Sequence, residues 1–344
     1  GGESAYFMNL NRNKKGMTLN LKSEDGKEIF RNLVAKSDIV LENFRPGVMA
    51  RLGLGYEDLK KINPAIIYGC VSGFGQSGPY SQRAGYDIIG QAMSGLMSTT
   101  GWPGGPPTRT GTAIADVVAG ISCCVGVLAA YINRLRSGEG EMVDVALVDS
   151  MVSALEIINP IYLCTGNIPQ RIGNRYEAIY PYDSFQASDG GVVIGAGNNK
   201  LFVLLCGALN MPELLEDARF SDNNQRVLHH ADLKPIIEEW TMRHTIDEIV
   251  EILLKAGVPA APINTIDRVV KDPHIAGARE MFVEIDHPKA GKLKMTGNQI
   301  KLKNRKIEKF EPAPLLGQHT EEILRDLLNM SDEEIRNSVD SGVV

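Results

Sequence analysis

Across its first 160 residues the chain alternates short apolar runs with amphipathic stretches, and this alternation limits its possible folds more than any other feature. Residues 17–21 read as a strand. Residues 24–35 read as a helix with Ile29, Phe30, Leu33 and Val34 on one face and Ser23 as N-cap. A strand at 38–42 runs into the turn Asn43-Phe44-Arg45-Pro46-Gly47, a helix at 56–63 stops at Pro64, and a strand follows at 66–71. Residues 87–100 and 116–136 read as helices, 142–146 as a strand and 148–158 as a helix. Strands separated by helices are joined by crossovers, so neighbouring strands run parallel and the helices cover both sheet faces. This is the doubly wound α/β class.

The pattern changes beyond residue 160. Residues 182–187 and 192–196 form a predicted hairpin around Ser188-Asp189-Gly190-Gly191, with helices near 200–209 and 246–256 and short strands near 260–263, 282–286 and 292–295. That is α+β in character. Loose composition on either side sets the expected boundaries: a large domain over 1–160, a linker over 161–181, a small α+β domain over 182–297, a linker over 298–316, and helices over 317–344.

Net charge is −6 over 344 residues, with a pI of about 5.6, which gives no reason to expect nucleic acid or an anionic membrane as partner. The apolar run VVAGISCCVGVLAAYI (117–132) is short for a span and passes directly into Asn133-Arg134, so a closely packed internal helix is expected, not a membrane segment. No signal peptide opens the chain. Five cysteines (Cys70, Cys123, Cys124, Cys164 and Cys206), with no Cys-x-x-Cys, suit a reducing cytoplasm better than a disulfide framework. Six histidines show no metal-pair spacing, and the phosphate-loop, nucleophile-elbow and zincin motifs are absent, so no metal and no permanently bound cofactor are expected.

Three stretches are able to carry chemistry. TGTAIAD (110–116) puts Asp116 at the start of a long apolar helix, where it reads either as an N-cap or as a carboxylate kept ionised by the helix terminus and available as a nucleophile. SGFGQSGP (72–79), followed by Arg83-Ala84-Gly85-Tyr86-Asp87, is a glycine-rich loop after a strand, either a ligand loop or simply a set of turns. Gly195-Ala196-Gly197-Asn198-Asn199 reads either as a turn with a helix cap at Asn199 or as a mobile loop offering N–H donors to an anion.

Together these stretches resemble the class III CoA-transferases. The matching segments are NRNKKGMTLNLKSEDGK (11–27), ENFRPGVMARLGLGYEDL (42–59), VSGFGQSGPY (71–80), AGYDIIGQAMSGLMSTTG (84–101), TRTGTAIADVVAG (108–120) and APLLGQHTEEIL (313–324). The resemblance implies a Rossmann-like large domain to which the C-terminal helices return, a small domain, and an interlocked, ring-like homodimer. It implies Asp116 as nucleophile and Gly195, Gly197 and Asn198 in an active-site loop. It places coenzyme A or acyl-CoA, as substrate, on Leu19, Asn20, Leu21, Lys22, Asn43, Phe44, Arg45, Arg51, Tyr86 and Asp87. Family chains also carry an N-terminal strand–helix unit ahead of the segment matching residues 1–6, which the resemblance credits with further CoA contacts.

The implied reaction moves CoA from an acyl-CoA to a small carboxylic acid through aspartyl anhydride and aspartyl-CoA thioester intermediates on Asp116. Two rivals stand beside it. An α-methylacyl-CoA racemase needs a second acid–base group and, by resemblance, has histidine where this chain has Tyr86, whose ordinary pKa near 10 makes it a poor base. A catalytically silent CoA-binding subunit would bind CoA without exchange.

Overall fold

A computed structural model describes residues 2–305 and 309–344; residues 306–308 of the expected 298–316 linker lie outside the described residues. The chain divides into two compact units, one of Gly1–Leu96, Arg109–Gly166 and Val270–Val344, the other of Met97–Thr108 and Asn167–Val269.

The first unit is built on a parallel sheet in the order β1 (Ile39–Glu42), β2 (Ile67–Ser72), β3 (Met142–Ala146), with Ile39 opposite Ile67 and Tyr68 opposite Met142. Central β2 is buried on both faces, as a nearly continuous apolar strand in a parallel sheet must be. Tyr68 and Cys70 pack on Val34, Met49, Leu54 and Leu59, while Ile67 packs on Cys123, Val127 and Ala130 of the Ile114–Ser137 helix. Alanine and cysteine on that helix face let its axis lie close to the strands. The same helix is long and apolar enough to cross a membrane by length and composition, and its outer side leaves Val117, Ile121, Val125, Leu128, Ile132 and Leu135 exposed.

The segment 17–21, expected as a strand, joins no sheet. Its backbone is taken by the chain's other end: Gly16 N–H donates to His319 Nδ1, Thr18 N–H to Thr320 Oγ1, and Asn20 N–H to Val343 O. Helices Thr320–Leu328 and Asp332–Asp340 complete this corner, where Leu324 and Ile335 bury Ile29. The expected helix over 87–100 is two, Asp87–Met93 and Leu96–Thr99, broken at Gly95 with φ +94. The expected helix over 148–158 is likewise two, Leu147–Ala154 and Ile158–Thr165, with Pro160 in the first turn of the second, where its missing N–H costs nothing.

The second unit packs helices on an antiparallel sheet of β4 (Tyr182–Ala187), β5 (Gly190–Gly195) and β6 (Ala260–Pro262). Its core joins Phe185, Val192 and Ile194 to Phe202, Leu205, Leu233, Ile237, Ile249 and Leu253. Helix Ile246–Lys255 opens with a reciprocal capping box between Thr245 and Glu248. Helix His230–Thr241 escaped the sequence reading; Pro235 lies inside it, beyond the first turn, and removes one intrahelical donor, so packing of Leu233 and Ile237 in the core sustains the helix.

One boundary moves. The hairpin of β7 (Phe282–His287) and β8 (Gly291–Thr296), expected in the small domain, belongs to the first unit. Long-range polar contacts tie it there: Arg12 donates to Thr296 O, Thr296 N–H donates to Asn9 Oδ1 at 3.2 Å, and Lys289 pairs with Glu3 at 3.0 Å.

Candidate active site

In a parallel sheet every strand ends at the same edge, so the loops that follow converge there and ligands gather. Here Asn43–Pro46 follow β1, Ser72 closes β2 and Leu147 follows β3; all line a cleft of about 520 Å³ together with Arg83–Asp87, Asp116 and Gly120. Asn43 Nδ2 donates to Val71 O at 2.6 Å, joining the first loop to the second strand.

What brings residues 83–87 back to this edge is a crossing of two glycines. A Cβ built on Gly73 would stand 2.5 Å from the Gly85 α-carbon, and one built on Gly85 would stand 2.3 Å from that of Gly73. Neither position has room for a side chain. Ser72 Oγ accepts Gly75 N–H at 3.0 Å, and Asp144 accepts Gln76 N–H at 2.9 Å, which fixes the rest of the loop.

Gly85 leads into helix Asp87–Met93, and Asp87 then performs the capping that was one of the two readings of Asp116. The N-cap of the long helix is Ala113, which has no capping side chain. Asp87 Oδ1 instead accepts Ala115 N–H at 2.8 Å, capping from a separate helix, and its Oδ2 accepts Gln91 Nε2 at 2.6 Å. Fully buried Gln91 in turn accepts Thr110 N–H at 3.0 Å through Oε1, so the approach to the long helix is fixed as well. Asp116 is therefore not a cap. It lies in the first turn, open to the cleft, and among the described residues nothing donates a hydrogen bond to its carboxylate. Its carboxyl stands above the ordinary aspartate range, first because the surrounding walls desolvate it and second because Asp87 is a like charge nearby.

Of the expected binding residues, Asn43, Phe44, Arg45, Tyr86 and Asp87 share the cleft with Asp116; Leu19–Lys22 and Arg51 do not line it. Leu19 packs beside Ile29 and Leu324, Asn20 Oδ1 accepts Lys22 N–H, and Arg51 ends the short helix Val48–Arg51. Gly195, Gly197 and Asn198 belong to the second unit. There Asn198, not Asn199, caps helix Asn199–Leu209 by accepting Leu201 N–H at 2.8 Å. The loop is also held from beneath. Fully buried Arg226 donates to Gly197 O, Asn199 Oδ1, Tyr180 O and Phe220 O, so the carbonyl side of the loop is anchored.

Arg83 was missed. It lines the cleft and stacks on Tyr80, its guanidinium carbon 3.6 Å from the ring centroid. Its charge and its place two residues before Gly85 were visible, but only the stacking distinguishes it from an ordinary solvated arginine. Cysteine offers no competing nucleophile at the sheet: burial pushes the Cys70 thiol up to about 12 and raises Cys123 as well. A larger cavity of about 1160 Å³, lined by β7 and by residues within 276–280, 298–305 and 309–312, contains none of the candidate residues.

The sequence model of CoA-transferase family III matches residues 1–320. Human succinyl-CoA:glutarate CoA-transferase is 37% identical over 344 residues, all of this chain and 78% of the human protein. Acetyl-CoA:oxalate CoA-transferase of Acetobacter aceti is 41% identical over 303 residues, covering 88% of this chain and 76% of that protein. Among solved structures, a CAIB/BAIF family protein from Brucella suis superposes with a TM-score of 0.83 at 38% identity, over 94% of this chain and 84% of that one. With the parallel sheet and its edge cleft in place, these matches show that the chain belongs to CoA-transferase family III and is an enzyme of CoA transfer.

Proposed function

We propose that this protein exchanges CoA between an acyl-CoA and a free carboxylic acid through covalent intermediates on Asp116. The observation that carries this reading is the division of labour between two aspartates. Asp87 caps the long helix, which leaves the Asp116 carboxylate unpartnered at the cleft surface, as a nucleophile must be. Attack of an Asp116 oxygen on the thioester carbonyl expels CoA thiolate and forms a mixed anhydride. The thiolate then attacks the aspartyl carbonyl, which releases the donor acid and leaves an aspartyl-CoA thioester. The acceptor carboxylate repeats both steps in reverse, so no proton is consumed overall.

Main-chain N–H groups of Gly197 and Asn198 are the proposed oxyanion donors; the Asn198 side chain is committed to Leu201 N–H. Asn43, Phe44 and Arg45 are the proposed CoA contacts within the cleft, and Leu19–Lys22 and Arg51 the contacts outside it. Relatives named for succinyl-CoA, glutarate, mesaconate and citramalate support a dicarboxylic acyl group here. A racemase reading finds no support, because no histidine lines the cleft among the described residues. We assign the assembly as a homodimer, a reading supported by the exposed apolar row on the long helix, which needs a cover in water.

Hydroxylamine in the presence of acyl-CoA tests the chemistry. Mass spectrometry should find the hydroxamate on Asp116, and an unmodified Asp116 under turnover conditions refutes the covalent route.

A further inference from the structure

Arg83 is the cleft residue whose chemistry the reaction above leaves unused. Its guanidinium carbon stands 3.6 Å from the centroid of the Tyr80 ring, which meets Phe74 edge-on at 6.0 Å between ring centroids. The Arg83 N–H donates to Tyr80 O at 2.9 Å, so a tight turn holds the stacked pair together, and the Gly73–Gly85 crossing fixes the loop's other end. Contact with the ring takes up one face of the guanidinium and leaves its N–H edge available. Among the described residues, no carboxylate or carbonyl accepts from it. A solvated surface arginine samples many rotamers; this one is held on a ring, in the same cleft as the proposed nucleophile, with its donor fork unfilled.

We propose that Arg83 binds the free carboxylate of a dicarboxylic acyl group, the end not joined to sulfur, and so selects diacids over monoacids. A planar fork accepts a carboxylate bidentately. The inference rests on the transferase reading for the identity of the reacting group, but binding of a diacid can be measured without turnover.

The test compares wild type with Arg83→Gln in exchange from succinyl-CoA to glutarate and from acetyl-CoA to butyrate, alongside calorimetric titration of glutarate alone. Arg83→Gln should lower kcat/KM for the diacid pair by about 10²-fold, chiefly through KM, and leave the monoacid pair within about threefold. Tyr80→Phe should retain diacid selectivity, whereas Tyr80→Ala, which removes the platform, should lose part of it. An equal loss for both pairs would assign Arg83 to the CoA portion that the donors share and overturn the proposal, as would no loss for either. If wild type exchanges neither pair, the transferase reading fails by itself. Titration then decides Arg83: glutarate binding lost in the variant supports it, and equal binding or none to wild type refutes it.

Discussion

At the scale of single residues, Asp116 and Asp87 show how far sequence alone reaches. That an acid opens the long helix was plain from the order of residues. That a different acid caps this helix was not, because the capping oxygen comes from a residue 28 positions before Ala115. The two carboxylates can be separated experimentally. Asp116→Asn should lower exchange by roughly 10⁴-fold or more while the protein stays folded, measured as kcat with a saturating acyl-CoA. The pH dependence follows from the raised carboxyl. Exchange needs the carboxylate, so the rate should fall on acidification with a midpoint above the ordinary aspartate range. Stability runs the other way. A carboxyl raised by folding opposes the folded state once it ionises, a penalty absent below the unfolded pKa and fully present above the folded one. Asp116→Asn should therefore melt higher than wild type at pH 7 and equal to it near pH 3, by thermal scans at both pH values; a lower melting point at pH 7 contradicts the assigned shift.

At the scale of elements, Asp87→Ala should cost about 1 kcal/mol in denaturant titration, the usual loss of a helix cap. It should also move the acid limb of the pH–rate profile downward, since a like charge next to Asp116 is removed. A stability loss with no shift of the profile would mean that the electrostatic link is absent. Elements with an unbroken period were readable from the sequence, such as the Met142–Ala146 strand and the Ile246–Lys255 helix. Elements decided by distant partners were not. Residues 17–21 have strand-like alternation, yet the Thr18 and Asn20 donors go to Thr320 and Val343, some 300 positions later, and the Gly16 donor just before them goes to His319. Local pattern cannot report a competitor that arrives from the other end of the chain.

At the scale of the whole molecule, the two units rest on different kinds of support. The first is a sheet covered on both faces. The second gathers one corner around Arg226, a buried cation whose hydrogen-bond acceptors are carbonyl and amide oxygens. Arg226→Met should leave several of those acceptors unpaired and cost about 3 kcal/mol. Hydrogen exchange should locate the loss within Asn167–Val269, with protection of the parallel sheet unchanged. The loosening of pattern near residue 160 led the sequence reading to put the β7–β8 hairpin in the small domain, whereas its anchors, Glu3, Asn9 and Arg12, lie nearly the whole chain away in the first unit. The Gly73–Gly85 crossing has a consequence for how such a protein diversifies. A clash at one position is often rescued by shrinking the neighbour it strikes, but here the neighbour is already glycine, so neither replacement can go first and no second one can repair it. The crossing is an evolutionary dead end for innovation, and new substrate preferences have to arise in the residues it carries, with Arg83 and Tyr86 the nearest to hand.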